Sequence, residues 1–172
     1  MNRTEPDKSE LFDALSKRNA SFLGQFSHSD LTAPALEQVA FLTCMDSRVE
    51  PLRIFSYELG DVKVIRNAGA RVTEDVLRSL ILATNFLDVT SIVVMQHVDC
   101  ALAFKSNDLV VSGLKVPVSP ADETRDFLAM PDPDRALRED IALILECPLI
   151  PTEVVVLGIR YDVKTGGIVR VV

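Results

Sequence analysis

Ser91-Ile92-Val93-Val94-Met95-Gln96-His97-Val98-Asp99-Cys100 is a run of apolar and β-branched residues that ends on a histidine, with a cysteine three positions on. Such a run predicts a buried strand. Upstream, Gln38-Val39-Ala40-Phe41-Leu42-Thr43 stops in the same way at Cys44, and Val62-Lys63-Val64-Ile65-Arg66 is a strand candidate between the two. Thr73, Asp75 and Val76 resemble a capped helix start, and Val76, Leu77, Leu80, Ile81 and Phe86 carry its apolar stripe. Apolar strands alternating with helices predict an α/β fold with a mainly parallel central sheet flanked by helices. Ligands of such sheets gather outside the carboxyl ends of the strands, which is where Cys44 and His97 fall.

Further along, Pro131-Asp132-Pro133-Asp134 precedes a helical pattern through Ala136, Leu137, Ile141, Ile144 and Leu145, closed by Cys147-Pro148. Val154 to Ile159 reads as a buried strand, and Lys164-Thr165-Gly166-Gly167 as a hairpin turn into Ile168–Val172. The segment from Leu109 to Val118, with Gly113 and Pro117 inside it, supports no assignment. At the other end, Leu11, Phe12, Leu15, Phe22 and Phe26 fall at roughly helical spacing and predict an amphipathic arm from Ser9 to Phe26. The expectation is one domain over 1–172, with an N-terminal helical arm in 1–35 and the core in 36–172.

Composition narrows the function classes. A formal net charge of −7 repels phosphate backbones and argues against sequence-independent nucleic-acid binding. No apolar stretch reaches the roughly 18 residues of a membrane-spanning helix, and the polar start Met1 to Glu10 lacks the apolar middle of a secretory signal. Three cysteines are too few and uneven for a disulfide framework, so a reducing, cytoplasmic location is expected. Cys147, with Leu145 two residues before it and Pro148 after it, reads as a packing residue.

The chain has three cysteines and two histidines, and three of these five lie in the strings Cys44-Met45-Asp46-Ser47-Arg48 and His97-Val98-Asp99-Cys100. Two thiolates and an imidazole fill three of the four positions of tetrahedral Zn²⁺ and leave one for water. Free cysteine is more often a small buried hydrophobe, and a short motif carries little weight alone. Placement of both strings at strand ends favours the metal. Asp46 can take the fourth position, or Arg48 can hold it aside through a bidentate pair. In the second arrangement zinc lowers the pKa of water from roughly 15.7 to about 7, and Asp46 orients the resulting hydroxide. Away from such ligands, D-x-R is an ordinary surface ion pair. Asp99 is expected to make hydrogen bonds near the site and not to ligate. Asn67 and Gly69 suit loop geometry, or a backbone contribution to the pocket. Arg66, Arg71, Arg78 and Asp108 invite no assignment, and His28 has little claim on a metal.

With these residues together, the chain resembles a β-class carbonic anhydrase. The likeness is carried by C-x-D-x-R at Cys44–Arg48 and H-x-x-C at His97–Cys100, and extends to Val49-Glu50-Pro51, Gly60-Asp61, Val64 to Gly69, Arg78-Ser79-Leu80 and Gly158 to Gly166. It implies Cys44, His97 and Cys100 as zinc ligands and Asp46 with Arg48 as the catalytic dyad. It also implies a lyase reaction, reversible hydration of carbon dioxide to bicarbonate and a proton (carbonate dehydration), and a homodimer or dimer of dimers joined through N-terminal helices. Two departures are Val98 and Ala101, where the family commonly has Thr and Gly. The absence of Trp argues against the tryptophan-containing bicarbonate site of some members. Alternatives are a carbonyl sulfide or carbon disulfide hydrolase, and a non-catalytic zinc-bound module that binds bicarbonate.

Overall fold

The computed structural model describes residues 8–172, which fall into a unit ending at Leu31 and a unit spanning Thr32–Val172. Residues 1–7 of the expected arm lie outside the described residues. Within the first unit a single helix, α1 (Lys8–Leu23), buries none of its residues. It stops before the expected end at Phe26 because Gly24, a poor helix former, follows Leu23, and the chain turns there through the Phe26 N–H to the Leu23 carbonyl.

The second unit holds β1 (Val39–Cys44), α2 (Pro51–Phe55), β2 (Val62–Asn67), a 3₁₀ turn at Ala68–Ala70, α3 (Glu74–Phe86) and β3 (Ser91–His97). After these come α4 (Asn107–Ser112), α5 (Pro120–Glu123), α6 (Pro133–Leu145), β4 (Val155–Tyr161) and β5 (Ile168–Arg170). The sheet order is β2-β1-β3-β4-β5; β1 to β4 run parallel, and β5 returns antiparallel on β4 as the hairpin reading predicts. The chain leaves β1 toward β2 and then crosses back over it to β3. That reversal opens a crevice between the carboxyl ends of β1 and β3, the place where open α/β sheets bind ligands.

Local chemistry explains these elements. β1 is buried at five of its six residues, the mark of a strand covered on both faces. The Thr73 hydroxyl accepts the Val76 N–H at the start of α3, with Glu74 and Asp75 favourable in its first turn. Asp132 caps α6 in the same way through the Arg135 N–H, with Pro133 opening the helix. Leu42, Ile92 and Val94 of the sheet share one core with Leu80 of α3 and Leu137, Ile141 and Ile144 of α6, and Cys147 packs at its margin. A smaller core joins Val49, Met95 and Ile159 to Ile54 and Phe55 of α2. α6 and β4 meet closely at Gly158: a Cβ there would stand 2.5 Å from Ile141 Cδ1.

Candidate metal centre

Register places the two strings side by side. β1 and β3 pair through Thr43 and Met95, so Cys44 and His97 leave the sheet at neighbouring strand ends. The Thr43 hydroxyl ties them further by donating to the Met95 carbonyl at 3.0 Å. Immediately after β3 the chain turns through Asp99, whose φ of 60° is left-handed, and this brings Cys100 back toward His97. The ligand atoms of Cys44, His97 and Cys100 all lie within 4.8 Å of one another.

Cys44 and His97 are buried and Cys100 is half-buried. Nδ1 of His97 lies 2.8 Å from the Val98 carbonyl, which makes it the N–H side of the ring and leaves Nε2 as the lone-pair nitrogen. Nε2 is buried without a hydrogen-bond partner. An orphaned imidazole nitrogen facing two thiols is the donor set that a tetrahedral divalent cation requires, so the residues present fit zinc. The Gly69 N–H donates to Cys44 Sγ at 3.4 Å, and that backbone can approach because Gly69 carries no Cβ and sits at a φ of 77°. Hydrogen bonding from the Cys100 thiol is the main cause that holds the Cys44 thiol down to about 4. The same interaction, together with burial, pushes the Cys100 thiol up.

Asp46 is held from the side. Its Oδ1 accepts the Arg48 backbone N–H at 2.9 Å and Nε–H at 3.0 Å, and its Oδ2 accepts Nη2–H at 2.8 Å. Oδ2 stands 3.9 Å from His97 Nε2, near the three donors yet committed to the guanidinium. The Arg48 hydrogen bonds hold the Asp46 carboxyl well below the usual carboxylate range. Arg48 is gripped a second time, by Asp99 Oδ2 at 2.8 Å and the Asp99 carbonyl at 3.2 Å. Arg66 latches the backbone that follows β1, donating to the carbonyls of Cys44 and Asp46 at 3.2 and 2.8 Å. Asp99 makes hydrogen bonds beside the donors, as expected of it, and its partner is Arg48; the Arg66 latch had no sequence signature, because it is made to main-chain oxygens.

The departures at Val98 and Ala101 have different weights. Val98 works through its backbone, its N–H donating to the Tyr161 carbonyl at 2.9 Å and its own carbonyl facing His97. Ala101 is exposed. Asn67 closes the loop after β2 by pairing its amide with the N–H and carbonyl of Arg71, while Gly69 supplies the backbone contact to the sulfur. An open pocket of about 520 Å³ lies against Arg48, lined also by Ser47, Glu50, Arg53, Ile54 and Tyr161.

Fold and donor set together define an α/β protein with a Cys-His-Cys centre at the switch point of its sheet. A carbonic anhydrase family model matches residues 39–112. "Beta-carbonic anhydrase 1" of Mycobacterium tuberculosis is 30% identical over 142 residues, covering 79% of this chain and 83% of the relative. A carbon disulfide hydrolase of Acidianus sp. is 32% identical over 147 residues, covering 72% of each. Among solved structures, carbonic anhydrase from Streptococcus mutans superposes with a TM-score of 0.82 at 36% identity, over 94% of this chain and 97% of that one. The chain belongs to the β-class carbonic anhydrase family.

Proposed function

We propose that this protein is a zinc-dependent carbonic anhydrase that interconverts carbon dioxide and water with bicarbonate and a proton, with Cys44, His97 and Cys100 as ligands. The observation that carries the reading is the bidentate hold of Arg48 on Asp46, which keeps the carboxylate beside the three donors without committing it to a fourth position. When bound, zinc supplies the Lewis acidity that brings the pKa of water near neutrality. Asp46, ionised and anchored, accepts a hydrogen bond from the attacking oxygen and turns its lone pair toward the carbon of carbon dioxide. Arg48 and Asp99 keep that acceptor in place. Val98 sets the tautomer of His97, and the Gly69 N–H offsets negative charge on the Cys44 sulfur.

The test is stopped-flow hydration of carbon dioxide by protein of measured zinc content, scanned across roughly pH 6.5 to 9, with Asp46→Asn alongside. Turnover that depends on zinc and on Asp46 is expected. Zinc-loaded protein without turnover would sink the reading. Relatives named carbon disulfide hydrolase at 32% identity favour a second substrate class, linear sulfur analogues of carbon dioxide. Parallel assays with carbon disulfide and carbonyl sulfide discriminate, since hydrolysis releases hydrogen sulfide.

The same reading extends to assembly and location. α1 leaves Leu11, Phe12, Leu15 and Phe22 exposed, an apolar surface suited to a second copy of the chain, which supports a homodimer or dimer of dimers. Among the described residues no helix is long and apolar enough to cross a membrane. The unpaired thiols of the centre support a reducing compartment such as the cytoplasm.

A further inference from the structure

The two sulfurs of the centre come from separate loops, and one buried ion pair is bonded to the supports of both. Asp140 of α6 has no exposed surface and Arg71 is 8% exposed. Arg71 Nε donates to Asp140 Oδ2 at 2.7 Å, and Asp140 Oδ1 accepts the Val72 N–H at 3.0 Å. On the Cys44 side, the Asn67 amide clamps the Arg71 backbone and closes the loop whose Gly69 N–H meets Cys44 Sγ. On the Cys100 side, Arg71 Nη1 donates to the Leu128 carbonyl at 2.7 Å. Leu128 has a φ of 52°, a conformation a leucine adopts only when its surroundings impose it. Two residues on, the Met130 N–H donates to the Leu102 carbonyl, the Phe104 N–H returns to the Met130 carbonyl, and the Ala103 N–H closes the turn on the Cys100 carbonyl. Leu102 and Met130 also pack against Gly69, within 3.2 and 3.3 Å of where its Cβ would stand. The path from one sulfur to the other runs through these hydrogen bonds and the short chain segments 69–71, 128–130 and 100–103 that join them, and Arg71 stands in the middle.

Stability does not explain such a pair. Replacing a buried ion pair by apolar residues of similar volume is often neutral or stabilising. What the pair supplies is geometry. We propose that Arg71 and Asp140 are positioning residues which set the separation of the Cys44 and Cys100 sulfurs and so determine how tightly the centre holds zinc. This rests on Cys44, His97 and Cys100 being the ligands.

Zinc affinity by competition with a chromophoric chelator, the absorption spectrum of the Co²⁺-substituted protein, and the melting midpoint of the metal-free protein test it. The variants are the double Arg71→Met/Asp140→Leu, which replaces the pair by apolar volume, and Arg71→Lys, which keeps a cation beside Asp140 and gives up the fork to Leu128. The double is expected to weaken zinc about 10–100-fold, the range for partners that orient ligands, and to lower the metal-free melting midpoint somewhat, because the Val72 N–H and the Leu128 carbonyl lose their partners. Its cobalt spectrum should change. Arg71→Lys moves affinity and spectrum in the same direction by less, and decides the matter where the double does not fold. Parental affinity and spectrum in a folded variant overturn the proposal, as does a lowered melting midpoint with affinity unchanged. Parent protein that takes up no zinc overturns the ligand assignment itself; parent uptake with unaltered variants overturns the positioning role alone.

Discussion

Arg48 is held by two carboxylates, Asp46 through both oxygens and Asp99 through its side chain and carbonyl. With side chains 46% and 60% exposed, the Arg48–Asp99 pair belongs to the class of surface contacts that add little stability. Its effect is to fix the guanidinium that fixes Asp46. Asp99→Ala is therefore expected to lower carbon dioxide turnover while zinc content stays at the parental level, checked by stopped-flow rates beside metal analysis. The pair also has a pH signature. Arg48 hydrogen bonds hold Asp46, ordinarily at 3.8, well below that value, and the same partner lowers Asp99. A carboxyl more acidic in the folded than in the unfolded chain stabilises the fold above the unfolded pKa and loses that contribution as pH falls through the folded one. Arg48→Ala should thus cost most stability above about pH 5 and progressively less below it, as urea midpoints across the acid range will show. Gly69→Ala places a methyl 3.2 Å from Leu102 at a φ of 77°. A loss of about 1–3 kcal/mol is expected by denaturant unfolding, together with weaker zinc binding.

Among the elements, β1, β3, β4, α3 and α6 were legible because each carries a full apolar pattern and, in the helices, a cap. Boundaries moved by a residue or two: β1 takes in Cys44, and β3 takes in His97. The stretch from Leu109 to Val118 was not legible. α4, which enters that stretch, has six residues, too few for a period to declare itself, and it is held at its start by the Ser106 hydroxyl accepting the Leu109 N–H. α6 packs tightly on β4 at Gly158, where an added Cβ meets Ile141 and Leu137. Gly158→Ala is expected to destabilise by about 1–3 kcal/mol in the same unfolding assay, since the methyl forces Ile141 Cδ1 and the Leu137 side chain out of their packed positions.

In the molecule as a whole, α1 buries none of its residues, and its Phe12 and Leu15 are 69% and 56% exposed. Phe12→Glu with Leu15→Glu is expected to lower the mass of the proposed oligomer in analytical ultracentrifugation, while an oligomeric parent whose mass the variant leaves unchanged would remove α1 from the proposed interface. The chain's order of residues already contained the types of donor, the two strings that carry them, the alternating apolar strands and helices, and hence a parallel sheet with chemistry at its carboxyl end. Those follow from local composition and period, which are written along the chain. The crossing of the chain from β2 back over β1 to β3, the Asp99 grip on Arg48, the Gly69 N–H on the Cys44 sulfur and the Arg71–Asp140 link were settled by folding. They join residues far apart in sequence, some through main-chain atoms that every residue shares and some through charged side chains with many possible partners along the chain, so the pairings are fixed only when the backbone brings them within hydrogen-bond reach.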